Sequence, residues 1–300
     1  MTLPFNPYHE AASIAARHVQ KDGEVFTAVG NLMLSRRTVP TAPLYMDYRP
    51  CLGLVLQGTK SVKLGDETIA YGVGDYLLTS IELPVTSRVT VASPEVPHLC
   101  FALAIDPDRL SALLERVDVP RPGSETDAMR GIVSNVAPPE LLDAATRLLR
   151  LLDRPADIAA MAPLIEQEIL YRVLCGPDGA RLVHIATAES RSNRIARAVA
   201  WLRANFHRTL RIEDLADHVG MSPSSLHHHF KSVTAMTPVQ FQKKLRLHEA
   251  RRLMLLEGLD VGSAGHRVGY QSPSQFSREY SRLYGISPLR DVGAILAAAE

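Results

Sequence analysis

"SPSSLHHHFKSVTAMTP" (residues 222–238) returns fifty positions later as "SPSQFSREYSRLYGISP" (272–288), with Ser222, Pro223, Leu226, Phe230 and Pro238 answered by Ser272, Pro273, Phe276, Tyr280 and Pro288. In each copy the serine is placed to cap a helix, accepting from an early backbone N–H. The proline takes the first helical position, where its missing N–H costs nothing. An aromatic four residues after Leu226 or Phe276 gives each helix one apolar face. Each copy also follows a shorter helical stretch and a glycine turn, "IEDLADHVGMS" and "VGSAGHRVGYQS". Two short helices joined by a glycine-containing turn form the helix-turn-helix plan. Between the copies, "PVQFQKKLRLHEARRLMLLEG" (238–258) reads as one helix. At 1.5 Å per residue it spans roughly 28 Å, long enough to hold two recognition helices about one DNA turn apart.

The three adjacent histidines, His227 to His229, invite a metal or catalytic reading. Neighbours on a helix point about 100° apart, whereas helical ligand pairs sit at i and i+4, so these three cannot converge on one ion. No GxSxG, P-loop or GxGxxG signature occurs either, and the expectation is a protein with no catalytic residues, no metal and no cofactor.

Charge divides the chain in two. Residues 1–180 hold 16 Lys+Arg against 22 Asp+Glu, a balance of −6, while 181–300 hold 17 against 10, a balance of +7. A small basic part behind a mildly acidic one points to a polyanion partner for the C-terminal part. No leader pattern and no apolar run near the ~20 residues of a membrane span is present, so a cytoplasmic protein with no membrane contact is expected. Three separated cysteines, at 51, 100 and 175, argue against a disulfide framework.

The first half begins as β structure. "SVKL" and "ETIAY" flank Gly65-Asp66, a hairpin signal, "VTSRVTV" (85–91) alternates, and "HLCFALAI" (98–105) reads as a buried strand. From 107 the pattern turns helical, in "DPDRLSALLERV", "PPELLDAATRLLRLL" and "PADIAAMAPLIEQEILYRVL". The last of these carries a wide apolar stripe (Ile158, Met161, Leu164, Ile165, Ile169, Leu170, Val173), read as a surface for self-association into a homodimer, the alternative being that it caps the barrel.

The basic half resembles the DNA-binding domain of AraC/XylS-type transcription regulators through "LADHVGMSPSSLHHHFK", "LRLHEARRLM" and "VGYQSPSQFSREYSRLYGISPLR". The first half is similar to the cupin-type N-terminal domain of one subgroup of that family, through "CLGLVLQGTKSVKLGD", "GDYLLTSIELPVTSRVTVASPEVP" and "LIEQEILYRVLCGPDGA". The resemblance implies a multidomain α+β chain. A cupin-like β-barrel with trailing helices for sensing or dimerisation spans 1–180 and a linker 181–191. An all-α DNA-binding domain spans 192–300, with helix-turn-helix units at about 212–233 and 260–284 and a linker helix at about 238–257. It also implies a sequence-specific regulator, an activator responding to a small-molecule effector and working with RNA polymerase on double-stranded DNA. A constitutive architectural DNA binder and a cupin enzyme fused to a DNA domain are the alternatives.

Leu226 and Phe230 must face the core, which turns Ser224, His227 and His228 outward as base readers by their place in the family pattern; the second unit offers Ser274, Ser277 and Arg278. Arg278 can donate two bonds to guanine, and Gln275 could assist at adenine. Lys231, Lys243, Lys244, Arg246 and Arg282, with Arg251 and Arg252, are suited to phosphates, although Arg246 could instead hold the linker helix to the flanking units. Gly262 and Gly265 each cost about 1 kcal/mol relative to Ala, so the second unit's leading helix is expected to order fully only on DNA.

Many cupins bind a metal through His-x-His a few residues after a glycine, yet the segment after Gly74, "DYLLTSIELPV", has no histidine. What remains is an apolar barrel with candidate effector-pocket groups at Cys51, Gln57, Lys63, Glu82, His98 and Cys100. The two cysteines are read as core filling, with a thiol sensor for electrophiles as the sharper alternative.

Overall fold

The computed structural model describes residues 7–117, 130–186 and 191–299. It divides into two compact units, one formed by Met1–Arg194 with Ser232–Ala235 and the other by Ile195–Lys231 with Met236–Glu300.

The first unit opens with helix α1 (Pro7–His18) and runs through nine strands: β1 (Gly23–Phe26), β2 (Leu32–Arg37), β3 (Leu44–Tyr48), β4 (Cys51–Gln57), β5 (Thr59–Leu64), β6 (Glu67–Gly72), β7 (Asp75–Thr79), β8 (Leu83–Val91) and β9 (His98–Ala104). Then come α2 (Pro107–Leu114), β10 (Ile132–Val136), α3 (Pro139–Arg150), α4 (Pro155–Leu174) and α5 (Gly179–Ala186). Six strands form one antiparallel sheet in the order β1-β2-β9-β4-β7-β10, and four form a second in the order β3-β8-β5-β6. The Gly65-Asp66 hairpin is present, pairing Leu64 with Glu67.

Side chains alternate between the faces of a strand, so the register sorts them. On one face of the six-stranded sheet Leu32, Leu34, Leu52, Leu54, Tyr76, Leu78, Leu99, Phe101 and Leu103 are buried with apolar residues of α1, α3 and α4 in a single core. The opposite face mixes small, polar and apolar residues: Ser35 pairs Cys100, Cys100 pairs Val55, Gly53 pairs Ala102 and Leu77, Met33 pairs Ala102, and Cys51 pairs Thr79. Large hydrocarbon fills the helix side of this sheet, while its other side sets buried Val55 and Leu77 among smaller and polar groups.

Helix α4 divides the expected stripe between core and surface. Ile165, Ile169, Leu170 and Val173 belong to the core, while Leu164 (60% exposed), Met161 and Tyr171 lie on the outer side. Of the expected linker 181–191, residues 181–186 finish helix α5, and 187–190 lie outside the described residues.

The second unit holds seven helices among its described residues: α6 (Arg191–Asn205), α7 (Ile212–Val219), α8 (Pro223–Thr234), α9 (Pro238–Leu256), α10 (Val261–Arg267), α11 (Pro273–Tyr284) and α12 (Pro288–Ala299). Helix α9 starts in a capping box, Thr237 accepting from Gln240 N–H and Gln240 accepting from Thr237 N–H. Its inner face, Leu247, Ala250, Leu253 and Met254, packs with Ala264, Val268, Tyr270, Phe276 and Tyr280. Phe241 of α9 meets Phe230 of α8 edge to face at 5.4 Å, so one helix supports both recognition helices.

The glycines expected to weaken α10 have a packing reason. Asp260 caps the helix by accepting from Gly262 and Ser263 N–H, and a Cβ at Gly265 would stand 3.0 Å from the Phe276 ring. Close approach of α10 and α11 therefore offsets the loss of helix propensity. Gly269, in the following turn, has φ +95°, and a Cβ there would overlap the carbonyl oxygen of His207. Gly269→Ala is expected to destabilise the protein by about 2 kcal/mol or more. Gly293→Ala, on open surface inside α12, should instead stabilise by up to ~1 kcal/mol. Urea unfolding midpoints of the two variants check both signs.

Candidate nucleic-acid interface

The first helix-turn-helix is α7, the turn at Gly220, and α8. Ser222 accepts from Ser225 N–H at 3.2 Å and so starts α8, and Leu226 and Phe230 are wholly buried. That anchoring fixes the helix rotation and leaves Ser224, His227, His228 and Lys231 exposed on the opposite side. His229 is half-buried, stacked edge-on against His228 at 5.2 Å.

The second unit repeats the construction. Ser272 accepts from Gln275 N–H at 3.3 Å, Phe276 and Tyr280 are buried, and Ser274, Gln275, Arg278 and Arg282 are exposed, with Ser277 half-buried. Gln275, Arg278, Glu279 and Arg282 line an open depression of about 290 Å³ on this helix. At its base Glu279 accepts from Lys243 Nζ (2.9 Å), Tyr270 Oη (2.8 Å) and Gln275 Nε2 (3.3 Å). Burial alone would raise the Glu279 carboxyl, but these donors outweigh it and hold the group below its ordinary range.

Several cations expected at phosphates have other partners. Lys243 is ion-paired with Glu279. Arg246 donates to three carbonyls, Phe206 (2.6 Å), Arg208 (2.8 Å) and Gly269 (3.1 Å), and so ties the linker helix to both units, the alternative its position allowed. Arg251 makes a two-pronged pair with Asp291, which also accepts from Tyr280 Oη at 2.6 Å. Arg252 pairs with Glu249 and Glu257. Lys244 is half-buried, whereas Lys231 and Arg282 are exposed beside the readers.

The effector-pocket candidates separate by strand register. Cys51, Cys100 and His98 lie on the face of the six-stranded sheet turned away from the helices. Lys63 is exposed, on the outer face of β5, because Val62 and Leu64 turn inward; Lys60, not singled out from the sequence, shares their face. The even-numbered apolar positions of "TKSVKL" were the signal that distinguishes them. Glu82 sits between β7 and β8, outside both strands. Gln57 follows a bulge after Val55 and donates to the Pro97 carbonyl at 2.7 Å, tying down the loop before β9. Burial pushes the Cys51 thiol up to about 11 and raises Cys100 as well, which keeps both protonated near neutrality and opposes a role as reactive thiolates. Among the described residues no three His, Cys, Asp or Glu side chains are grouped as metal ligands.

Two capped helix-turn-helix units on one rod define a DNA-binding domain, here joined to a two-sheet β unit. The family described as "AraC-type transcriptional regulator N-terminus" matches residues 28–181, and a "Helix-turn-helix domain" family matches 215–291. The chain belongs to the AraC-type transcriptional regulators. It is 26% identical over 144 residues to the HTH-type transcriptional regulator ArgR of Pseudomonas aeruginosa, covering 48% of this chain and 44% of that protein. It is 30% identical over 104 residues to the HTH-type transcriptional activator RhaS of Escherichia coli, covering 35% and 37%. The chain thus spans less than half the length of these curated relatives. The fold is that of ToxT from Vibrio cholerae: its unsaturated fatty acid-bound structure aligns with TM-score 0.53 at 10% identity over 87% of this chain and 93% of that one.

Arg246→Ala removes three hydrogen bonds and is expected to cost about 2–3 kcal/mol in urea unfolding, with Arg246→Lys only partly restoring it. His98 supplies a pH test. Burial, then the Lys60 and Arg37 cations, push its imidazole down to about 4, below the ~6.5 of an unfolded chain. Above pH ~6.5 His98 imposes no penalty; as pH falls from there towards 4 the unfolded chain takes a proton that the folded one refuses, and stability drops. His98→Gln should therefore lose roughly 1–3 kcal/mol less stability than the wild type between pH 7 and pH 4.5, measured by denaturation at each pH.

Proposed function

We propose that this protein is a sequence-specific transcriptional activator that responds to a small-molecule effector, with an effector and dimerisation domain at about 1–180 and a DNA-binding domain at about 192–300. The observation that carries the reading is the pair of equivalent helices, each rotated by a buried aromatic so that small polar and cationic side chains face out. On DNA, Ser224, His227 and His228 read one major-groove segment and Ser274, Ser277 and Arg278 the next, with Gln275 assisting. Lys231, Arg282 and Lys244 hold phosphates, while Lys243 and Arg246 serve the frame.

Activation is favoured by the likeness to RhaS, an activator, and implies contact with RNA polymerase. A small-molecule effector is favoured by the shared fold with a fatty acid-bound ToxT. Met161, Leu164 and Tyr171 on the outer side of α4 offer apolar surface for a homodimer. The activity proposed is binding rather than catalysis, and its place is the cytoplasm; no described helix is long and apolar enough to cross a membrane.

Gel shifts across a salt series, on a site selected from random DNA, test the assignment of roles. His227→Ala should cost ~1–3 kcal/mol on the selected site and little on random sequence. Lys231→Ala should weaken both alike and lower the salt slope by about one. Equal losses on both DNAs for His227→Ala would remove it from base reading.

A further inference from the structure

The two helix-turn-helix units anchor their recognition helices by different chemistry. Fifty positions separate Phe230 from Tyr280, and the same fifty separate Phe241 from Asp291. In the first unit Phe230 of α8 meets Phe241 edge to face, a contact between two apolar rings. In the second unit the corresponding positions hold a phenol and a carboxylate, and Tyr280 Oη donates to Asp291 Oδ2 at 2.6 Å. Arg251 of α9 completes the pair, donating from Nε to Oδ2 at 2.7 Å and from Nη2 to Oδ1 at 3.1 Å. One carboxylate thus joins the linker helix α9, the second recognition helix α11 and helix α12.

Tyr280 is wholly buried and Asp291 nearly so. The Arg251 guanidinium lies over the Tyr284 ring at 4.8 Å, and that ring stands 4.3 Å from the ring of Tyr280. Burial alone would raise the Asp291 carboxyl, but Arg251 and Tyr280 outweigh it and hold the group below its ordinary range. Stability gives no reason for the exchange of chemistry: an apolar pair fills the equivalent place in the first unit, and replacing a buried ion pair by well-packed hydrocarbon is often neutral or stabilising. Direction is what the exchange adds. Aromatic rings keep their attraction over a broad range of separations, whereas a charge-assisted hydrogen bond is short and weakens steeply as its angle closes. Tyr280 lies two residues from Arg278 and two from Arg282, so its depth and rotation set where those exposed cations stand. Glu279, next to it, is held on another side of α11 by Lys243 and Tyr270.

We infer that Asp291 is a positioning residue for sequence discrimination: through Tyr280 it fixes the rotation of α11 and so places the Arg278 guanidinium at its base pair, while Arg251 holds the carboxylate in register. The inference rests on the reading of α8 and α11 as base-reading helices and names a determinant of specificity that lies in the core. Asp291, being buried, acts only through Tyr280. The first recognition helix, seated on an apolar ring pair, has no such directional lock at the equivalent position.

Base preference of the full chain, measured position by position on a site selected from random DNA, tests the role beside urea unfolding and affinity for random sequence. Arg278→Ala marks the segment read by α11, and His227→Ala the segment read by α8. Tyr280→Phe removes only the phenol oxygen. It should lower discrimination at the α11 segment by about threefold to tenfold, part of the range that a bidentate arginine–guanine contact supplies, and leave the α8 segment and random-sequence affinity as in the wild type. A second variant, combining Arg251→Met, Tyr280→Phe and Asp291→Phe, rebuilds the apolar pair of the first unit. It should unfold at a urea concentration no lower than that of Tyr280→Phe and still discriminate poorly at the α11 segment. A merely structural role predicts otherwise, with both segments weakened together and recovery in the rebuilt chain. Wild-type preference at the α11 segment in Tyr280→Phe, equal losses at both segments, or full preference in the rebuilt chain would overturn the positioning role, and the Tyr280→Phe comparison decides it alone if the rebuilt chain does not fold. A wild type that selects no preferred sequence would instead contradict the base-reading proposal itself.

Discussion

One guanidinium fixes the DNA-binding domain. Arg246 stands midway along the linker helix and donates to the carbonyls of Phe206 and Arg208, before the first helix-turn-helix, and of Gly269, inside the second. Gln242, one turn earlier, covers Phe206 and Arg208 again at 3.1 and 2.8 Å. The turns can approach this closely because residue 269 is glycine, with a backbone conformation and a contact to the His207 carbonyl that a Cβ would forbid. Backbone carbonyls make stiffer anchors than side chains, since accepting the bond costs no rotamer freedom. The two recognition helices are thereby held as one body, and the spacing between them is set before DNA is met.

The same economy of contact shapes the β unit. Its hydrocarbon core lies between the six-stranded sheet and α1, α3 and α4, with Leu54, Phe101 and Leu148 fully buried. The other face of the sheet carries serine, cysteine, glycine and histidine beside buried Val55 and Leu77. Burial then decides the state of those groups: it raises the thiols and lowers His98.

The repeat made the helical half legible. Ser222 and Ser272 cap as their spacing with Pro223 and Pro273 requires, and Leu226, Phe230, Phe276 and Tyr280 are buried as the four-residue intervals require. Local rules of that kind need no partner from elsewhere in the chain. Arg246 is different: its acceptors lie 40, 38 and 23 residues away, and nothing in a Lys/Arg-rich helix distinguishes an anchor from a phosphate contact. Lys243 was hidden for the same reason, because Glu279 comes from α11. In the β half, β1, β3 and β10 left weaker patterns, being short strands at sheet edges, where one-sided burial blurs alternation. Lys60 was within reach: parity with Val62 and Leu64 puts it inside and Lys63 outside.

The central claim is that this chain meets DNA through two recognition helices presented together. Hydroxyl-radical footprinting on a site selected from random DNA tests it most directly. Two protected segments on one face of the duplex, centred about one helical turn or roughly 34 Å apart per protomer, are predicted. A single protected segment per protomer, or protection that does not depend on sequence, would contradict it.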